Sequence, residues 1–148
     1  MPPERKRLGA GRAGFTLVEL MVVLAIAAVV AAFAVPSYRH HVERGHRLGA
    51  VAGLYRAAQY VETFGDGLPA TLPDGLDRVP GQGAPAYRLR LRTTGDARGG
   101  YALDASPSSD GAMRGDACGT YVLHADGTHE NIAAADSDPM AQPCWPAH

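Results

Sequence analysis

Glu19 is the single ionisable side chain between Phe15 and Val35, in a run that is otherwise apolar. A carboxylate in such a run costs about 2.5–3.5 kcal/mol on membrane-insertion scales, so it implies a definite partner. If the chain is cut after Gly14, that partner is at hand. Phe15 then carries a free α-amino group with a reference pKa of about 7.7–8, cationic at neutral pH. Glu19 lies about one helical turn from its own amine, and in a stack of parallel helices it also reaches a neighbour's. Pairing the two charges removes most of the penalty that either carries alone, which makes Glu19 a register pin for self-association.

Two further sets of residues have chemistry to offer. Cys118 and Cys144 both lie in the C-terminal third, beyond the apolar run. In an exported domain they are expected to form a disulfide, closing a loop of about 25 residues worth roughly 3.5 kcal/mol in the chain-entropy model. Free thiols or a two-cysteine metal site are the alternatives, although neither cysteine has the close second cysteine of a zinc site. Arg88, Arg90 and Arg92 alternate with Leu89 and Leu91, so a strand here places three guanidinium groups on one face and the leucines in the core. With Arg98 nearby, that stripe would either contact DNA phosphates or serve as a solvated face that discourages edge-to-edge pairing. No aromatic residue is obviously placed beside it for base stacking, which favours the solvated face.

The elements that position these residues can be read from polarity. The leader, residues 1–14, holds Arg5, Lys6, Arg7 and Arg12, and residues 15–35 are long enough to cross roughly 30 Å of hydrocarbon with the basic leader on the cytoplasmic side. An ordinary secretory signal would be cut after the apolar core, near Ala28, Ala31, Ala32 or Ala34, and that reading leaves Glu19 unexplained. After Pro36, residues 36–64 turn polar and read as a helical extension, with Leu48, Val51, Leu54, Tyr55, Ala58 and Val61 as its packing stripe. Gly45, Gly49 and Gly53 recur every fourth residue and predict close helix contact. The helix from Phe15 to Phe64 would span roughly 75 Å, interrupted or bent at Pro36.

Residues 65–148 form the predicted globular head. Gly65 to Pro85, rich in glycine and proline, reads as a long surface loop. Strands are predicted at Tyr87–Thr93, Gly100–Ala105 and Thr120–His124, with an Asp126-Gly127 turn leading into a short returning strand at Thr128–Ile132. The fold class is therefore α+β, a long N-terminal helix packed on a 3–4-stranded antiparallel sheet with a C-terminal disulfide-bounded region.

Gly14-Phe15-Thr16-Leu17-Val18-Glu19 resembles, position by position, the processing motif of the type IV pilin family. The resemblance implies cleavage between Gly14 and Phe15 by a prepilin peptidase, N-methylation of Phe15, filament packing guided by Glu19, and a helix kink at Pro36. Tyr101-Ala102-Leu103-Asp104-Ala105-Ser106-Pro107, Cys118-Gly119-Thr120-Tyr121-Val122-Leu123, Asp126-Gly127-Thr128 and Cys144-Trp145 look like the C-terminal half of PilE-type minor pilins. The implied partners are other pilin subunits in a helical fibre, the prepilin peptidase and methylase, the assembly platform and motor, and the inner membrane before assembly. Localisation would pass from a single-pass inner-membrane form to a surface pilus serving adhesion or twitching motility. Related pilins that act as DNA receptors in natural transformation share this layout, so a DNA-binding minor pilin is one alternative role. A pseudopilin of type II secretion is another.

Composition narrows the remaining options. At 148 residues the chain holds one modest domain plus its helix. Removing the leader takes away three net positive charges and moves the formal charge from −1 to about −4, which argues against a general polyanion binder. His40, His41 and His46 lack the four-residue spacing that aligns two ligands on a helix. Asp126, Glu130, Asp136 and Asp138 match no calcium loop. With no nucleophile beside an oriented base and no phosphate-cradling loop, neither an enzyme nor a cofactor is expected.

Overall fold

The computed structural model describes residues 14–65, 67–95, 100–132 and 144–146. It divides into two compact units, residues 1–39 and 40–148. A 46-residue helix, α1 (Leu17–Glu62), supplies the described secondary structure of the first and continues into the second. Its start is set by Thr16, whose Oγ1 accepts the Glu19 amide at 3.2 Å, satisfying one of the donors that a helix leaves unpaired at its N-terminus. Pro36 has no N–H to offer the Ala32 carbonyl, and the helix is continuous through it rather than interrupted. It ends where Thr63, Phe64 and Gly65 close tighter bonds onto Tyr60, Val61 and Glu62, with Gly65 at φ +61° taking the left-handed position that favours glycine.

In the first unit the apolar residues from Leu17 to Val35 are all exposed, and α1 is the one helix among the described residues long and apolar enough to cross a membrane.

The second unit is an antiparallel meander under the C-terminal half of α1. Its strands are β1 (Arg78–Val79), β2 (Tyr87–Thr93), β3 (Tyr101–Pro107), β4 (Thr120–His124) and β5 (His129–Ile132), paired in chain order. Five strands replace the expected three or four. The addition is β1, two residues inside the glycine- and proline-rich stretch, where no run was long enough to show alternation. The hairpin at Asp126-Gly127 forms as expected: Asp126 Oδ1 accepts the Thr128 amide at 2.9 Å, and Gly127 sits at φ +82°.

Tyr87, Leu89, Leu103, Ala105, Tyr121 and Leu123 fill the core from the sheet, meeting Ala50, Leu54, Ala57 and Val61 of α1. Of the predicted stripe Val51, Leu54 and Val61 are buried and Ala58 packs against the core, while the buried face takes in smaller residues that the stripe left out. Leu48 and Tyr55 are 50% and 39% exposed, and the small residues Ala50, Gly53 and Ala57 are buried instead. The cause is a close approach of β1: a Cβ on Gly53 would lie 2.5 Å from Val79 Cγ2, and one on Gly49 would lie 3.3 Å from Val79 Cγ1. A Cβ on Gly45 meets nothing within 4 Å, so the glycine spacing serves head packing at two of its three positions.

The deepest polar contact ties three segments together. Asp116, on the β3–β4 connection, accepts from Arg47 of α1 through Nε at 3.0 Å and the terminal nitrogen at 2.6 Å, and Tyr87 OH of β2 donates to its other oxygen at 2.6 Å. The carboxylate side chain is 1% exposed and the guanidinium 13%. Burial works against the charge of Arg47, and the hydrogen bond and attraction of Asp116 outweigh it, raising the guanidinium further above its usual range. Burial, then the hydrogen bond to Asp116, pushes the Tyr87 phenol well up, so it stays a neutral donor.

Cys118 and Cys144 form the expected disulfide, with Cα atoms 5.6 Å apart. The bridge brings Trp145 edge-on to Tyr121, ring centres 5.4 Å apart, and beside His129 at 4.3 Å. Tyr121 in turn meets Tyr87 edge-on at 5.9 Å.

Two sets of substitutions test this packing. Gly53→Ala gains about 1 kcal/mol of helix propensity but overpacks Val79 at a cost of about 1–3 kcal/mol, whereas Gly45→Ala keeps the gain. Thermal melts of the detergent-solubilised chain should move down for the first and up for the second; a rise in both would mean that Val79 yields freely. Asp116→Ala should cost about 3–5 kcal/mol by taking the buried carboxylate away from both Arg47 and Tyr87, and Cys118→Ser about 3.5 kcal/mol in denaturant titrations. An Asp116→Ala chain as stable as wild type would show that the contact contributes nothing net.

Candidate assembly and nucleic-acid interface

In the first unit, Gly14 and Phe15 precede the helix and both are exposed, with Phe15 at 85%. Thr16 and Glu19 stand as the first and fourth residues of a Thr-x-x-Glu capping arrangement, and Glu19 lies in the first helical turn, where the helix dipole favours a negative charge. The sequence reading treated Glu19 only as a partner for an amine. The second role was legible in the Thr16–Glu19 spacing and was missed. Either reading uses Glu19 in the first turn of the helix, a few residues along the chain from Gly14 and Phe15.

In the second unit, the strand alternation puts Arg88, Arg90 and Arg92 on the exposed face of β2, with Leu89 buried and Leu91 half-buried opposite. Antiparallel register extends that face across the sheet. Arg88 stands opposite Arg78 of β1 and Ser106 of β3, Arg90 opposite Asp104, and Arg92 opposite Ala102. Val122 and Glu130 continue the row that begins at Arg90 and Asp104.

The guanidinium groups on this face are not equivalent. Arg92 makes a two-point contact with Asp104, its terminal nitrogen 2.8 Å from Oδ1 and its Nε on Oδ2. The hydrogen bond to Asp104 raises its pKa further. Arg78 is held by Asp77 through two bonds of 2.8 Å, with Asp74 at 3.7 Å. That pairing, chiefly the Arg78 hydrogen bond, holds the Asp77 carboxyl below its usual range. Arg88 and Arg90 are exposed and engage no carboxylate among the described residues. At the far side, His124 Nε2 lies 3.1 Å from Glu130 Oε1.

Among the described residues the face therefore carries two cations along β2 that no carboxylate engages, and carboxylates at Asp104 and Glu130 further across. The sequence reading gave no arginine-pairing role to either acid: Asp104 comes beside Arg92 only through the register of β2 and β3, whereas Asp77 directly precedes Arg78 in the chain and was passed over. Arg98, Asp136, Asp138 and the leader cations lie outside the described residues. Among the described residues, no group of three histidine, cysteine, aspartate or glutamate side chains is placed to hold a metal.

Comparison with known proteins matches both halves of the chain. Residues 10–35 match the family model of the prokaryotic N-terminal methylation motif. Residues 36–122 match the model described as type IV minor pilin ComP, DNA uptake sequence receptor. The type IV major fimbrial protein FimA of Dichelobacter nodosus is 32% identical over 124 residues, covering 79% of this chain and 69% of its own. A fimbrial protein of the same organism aligns to the same extent at the same identity. A solved type IV pilin from Shewanella oneidensis aligns over 71% of this chain and 99% of its own, at 24% identity and a TM-score of 0.46. With the methylation motif at one end and fimbrial relatives across four-fifths of its length, the chain belongs to the type IV pilin family.

Proposed function

We propose that this pilin is a minor subunit of a type IV fibre and that its head binds duplex DNA. The observation that carries the DNA reading is the match of residues 36–122, which include all of β1, β2 and β3, to a model described as a DNA uptake sequence receptor. The free guanidinium groups of Arg88 and Arg90 supply the chemistry, since phosphate contacts by arginine provide most sequence-independent affinity for duplex DNA. The overall acidity of the mature chain does not oppose this, because what a phosphate meets is the local charge along β2.

In the same reading, the prepilin is cut between Gly14 and Phe15, methylated at Phe15, and held in the inner membrane by residues 15–35 until assembly. Glu19 then pairs with the amine of a neighbouring subunit as the apolar segments exchange lipid for one another. The protein is a substrate of the processing enzyme and serves as a structural subunit. Apolar surface stays buried before and after, so the exchange gives little net hydrophobic gain and an external motor must set its direction.

Two experiments test the halves of this proposal. Substituting Gly14 should abolish the mass shift of processing, while Glu19→Ala should be processed normally yet be depleted from sheared fibres; undiminished incorporation of the Glu19 variant would sink the pairing role. For DNA, anisotropy of a labelled duplex titrated with the processed full-length chain should show affinity that falls steeply with salt. Arg88→Gln with Arg90→Gln should flatten that dependence by about two units of slope. Binding that ignores both substitutions would remove this face from the interface.

A further inference from the structure

Four arginines project from the β1–β2 side of the outer face, and the structure sorts them into two classes. Arg78 and Arg92 each have a carboxylate on two nitrogens, whereas Arg88 and Arg90 have none among the described residues. The free pair is contiguous in the alternation. Along a strand, residues two apart advance by about 6.8 Å, equal to about two nucleotide rises along a duplex axis, so both can address one phosphate strand. Arg92 stands the same distance further on and would be the third contact. Asp104 prevents it.

Asp104 is well placed for that effect. Its side chain is 15% exposed, against 50% for Arg92, so the carboxylate is fixed in the sheet and the arginine reaches across to it. It is the cross-strand partner of Arg90, but its two-point contact goes to the diagonal neighbour Arg92. Glu130, two strands further, adds attraction on Arg92 from the same side. A phosphate approaching Arg92 must displace a bidentate carboxylate and then sit next to it, whereas at Arg88 no carboxylate among the described residues stands in its way.

We propose that Asp104 is a positioning residue that withholds Arg92 from nucleic acid, limiting the phosphate track on this face to Arg88 and Arg90. The inference rests on the DNA-binding reading above and adds the number of contacts and the residue that sets it. It makes DNA affinity adjustable by one carboxylate that itself never touches the ligand, and it keeps the grip weak enough for a fibre that must release what it carries.

The test uses the processed full-length chain in detergent and a short labelled duplex over a salt series. Arg88→Gln and Arg90→Gln should each reduce the slope of log affinity against log salt by about 0.9, and Arg92→Gln should leave it unchanged. Asp104→Asn should steepen it by about 0.9 and tighten binding roughly tenfold at about 0.1 M salt, and adding Arg92→Gln should return the wild-type slope. Loss on Arg92→Gln equal to that on Arg88→Gln, or no change on Asp104→Asn, overturns the proposal. An arginine-selective dicarbonyl reagent with mass-spectrometric readout checks the clamp without DNA. Arg88 and Arg90 should react first, and Arg92 should join them only in Asp104→Asn. Wild-type protein that binds no duplex overturns the DNA-receptor reading, and in that case Arg92 labelling as fast as Arg88 overturns the clamp as well.

Discussion

A carboxylate removed from water needs several donors, and the arrangement of the head follows from how Asp116 finds them. Three hydrogen bonds reach its two oxygens, two from Arg47 on α1 and one from Tyr87 on β2, while its backbone belongs to the β3–β4 connection. Each of these segments has other apolar contacts, but those are tolerant of small slides. A buried ion pair is not tolerant, because a shift that breaks it leaves an uncompensated charge in the interior. Asp116 thus fixes the rotation of the helix over the sheet, and with it which residues of α1 face inward. Alanine and glycine occupy the buried face because that rotation brings β1 against it, with Val79 filling the space that Gly53 leaves.

The two sides of the sheet use their polar groups differently. Inside, the phenol of Tyr87 and the guanidinium of Arg47 are spent on one acid, and the aromatic series Tyr87, Tyr121, Trp145 carries packing toward β5, where the disulfide anchors Trp145. Outside, the charges are laid out along strands: cations on β1 and β2, acids on β3 and β5. Two of the cations are neutralised locally by Asp77 and Asp104, which relieves the repulsion that Arg78 and Arg88 would feel as direct cross-strand partners. What remains is a narrow positive line on a subunit that is acidic as a whole.

Much of this was legible before the coordinates. The membrane-length segment, the methylation motif and four of the five strands came from patterns that act over a few residues, an apolar run, period-two alternation and an Asp-Gly turn, and the disulfide from the expectation that an exported domain oxidises its two cysteines. The parts that were not legible depend on distance along the chain. Arg47 and Asp116 are 69 residues apart, and nothing local distinguishes Arg47 from Arg44 or Asp116 from Asp110. The helix face was right at Val51, Leu54 and Val61 and wrong at its margins for a related reason. Leu48 and Tyr55 are the larger apolar residues, so periodicity weighted toward size chose them, whereas close approach by a strand selects for small ones. At the candidate interface the arginine alternation was visible, but which arginines are free was not, since cross-strand partners appear only once register is known.

The strictly sequential order of the sheet also bears on how the head is made. Every strand pairs with its immediate predecessor in the chain, so each new hairpin closes over a short loop, and the entropy of joining distant segments is deferred to the docking of α1. Low contact order of this kind favours fast folding. Strands paired in this order can form one after another along the chain, each adding to the edge left by the one before it. The pairing of Arg47 with Asp116, 69 residues apart, is by contrast a contact that only the docked helix can make. The order of the sheet is the order of the chain, so the head can be put together without any strand crossing over another.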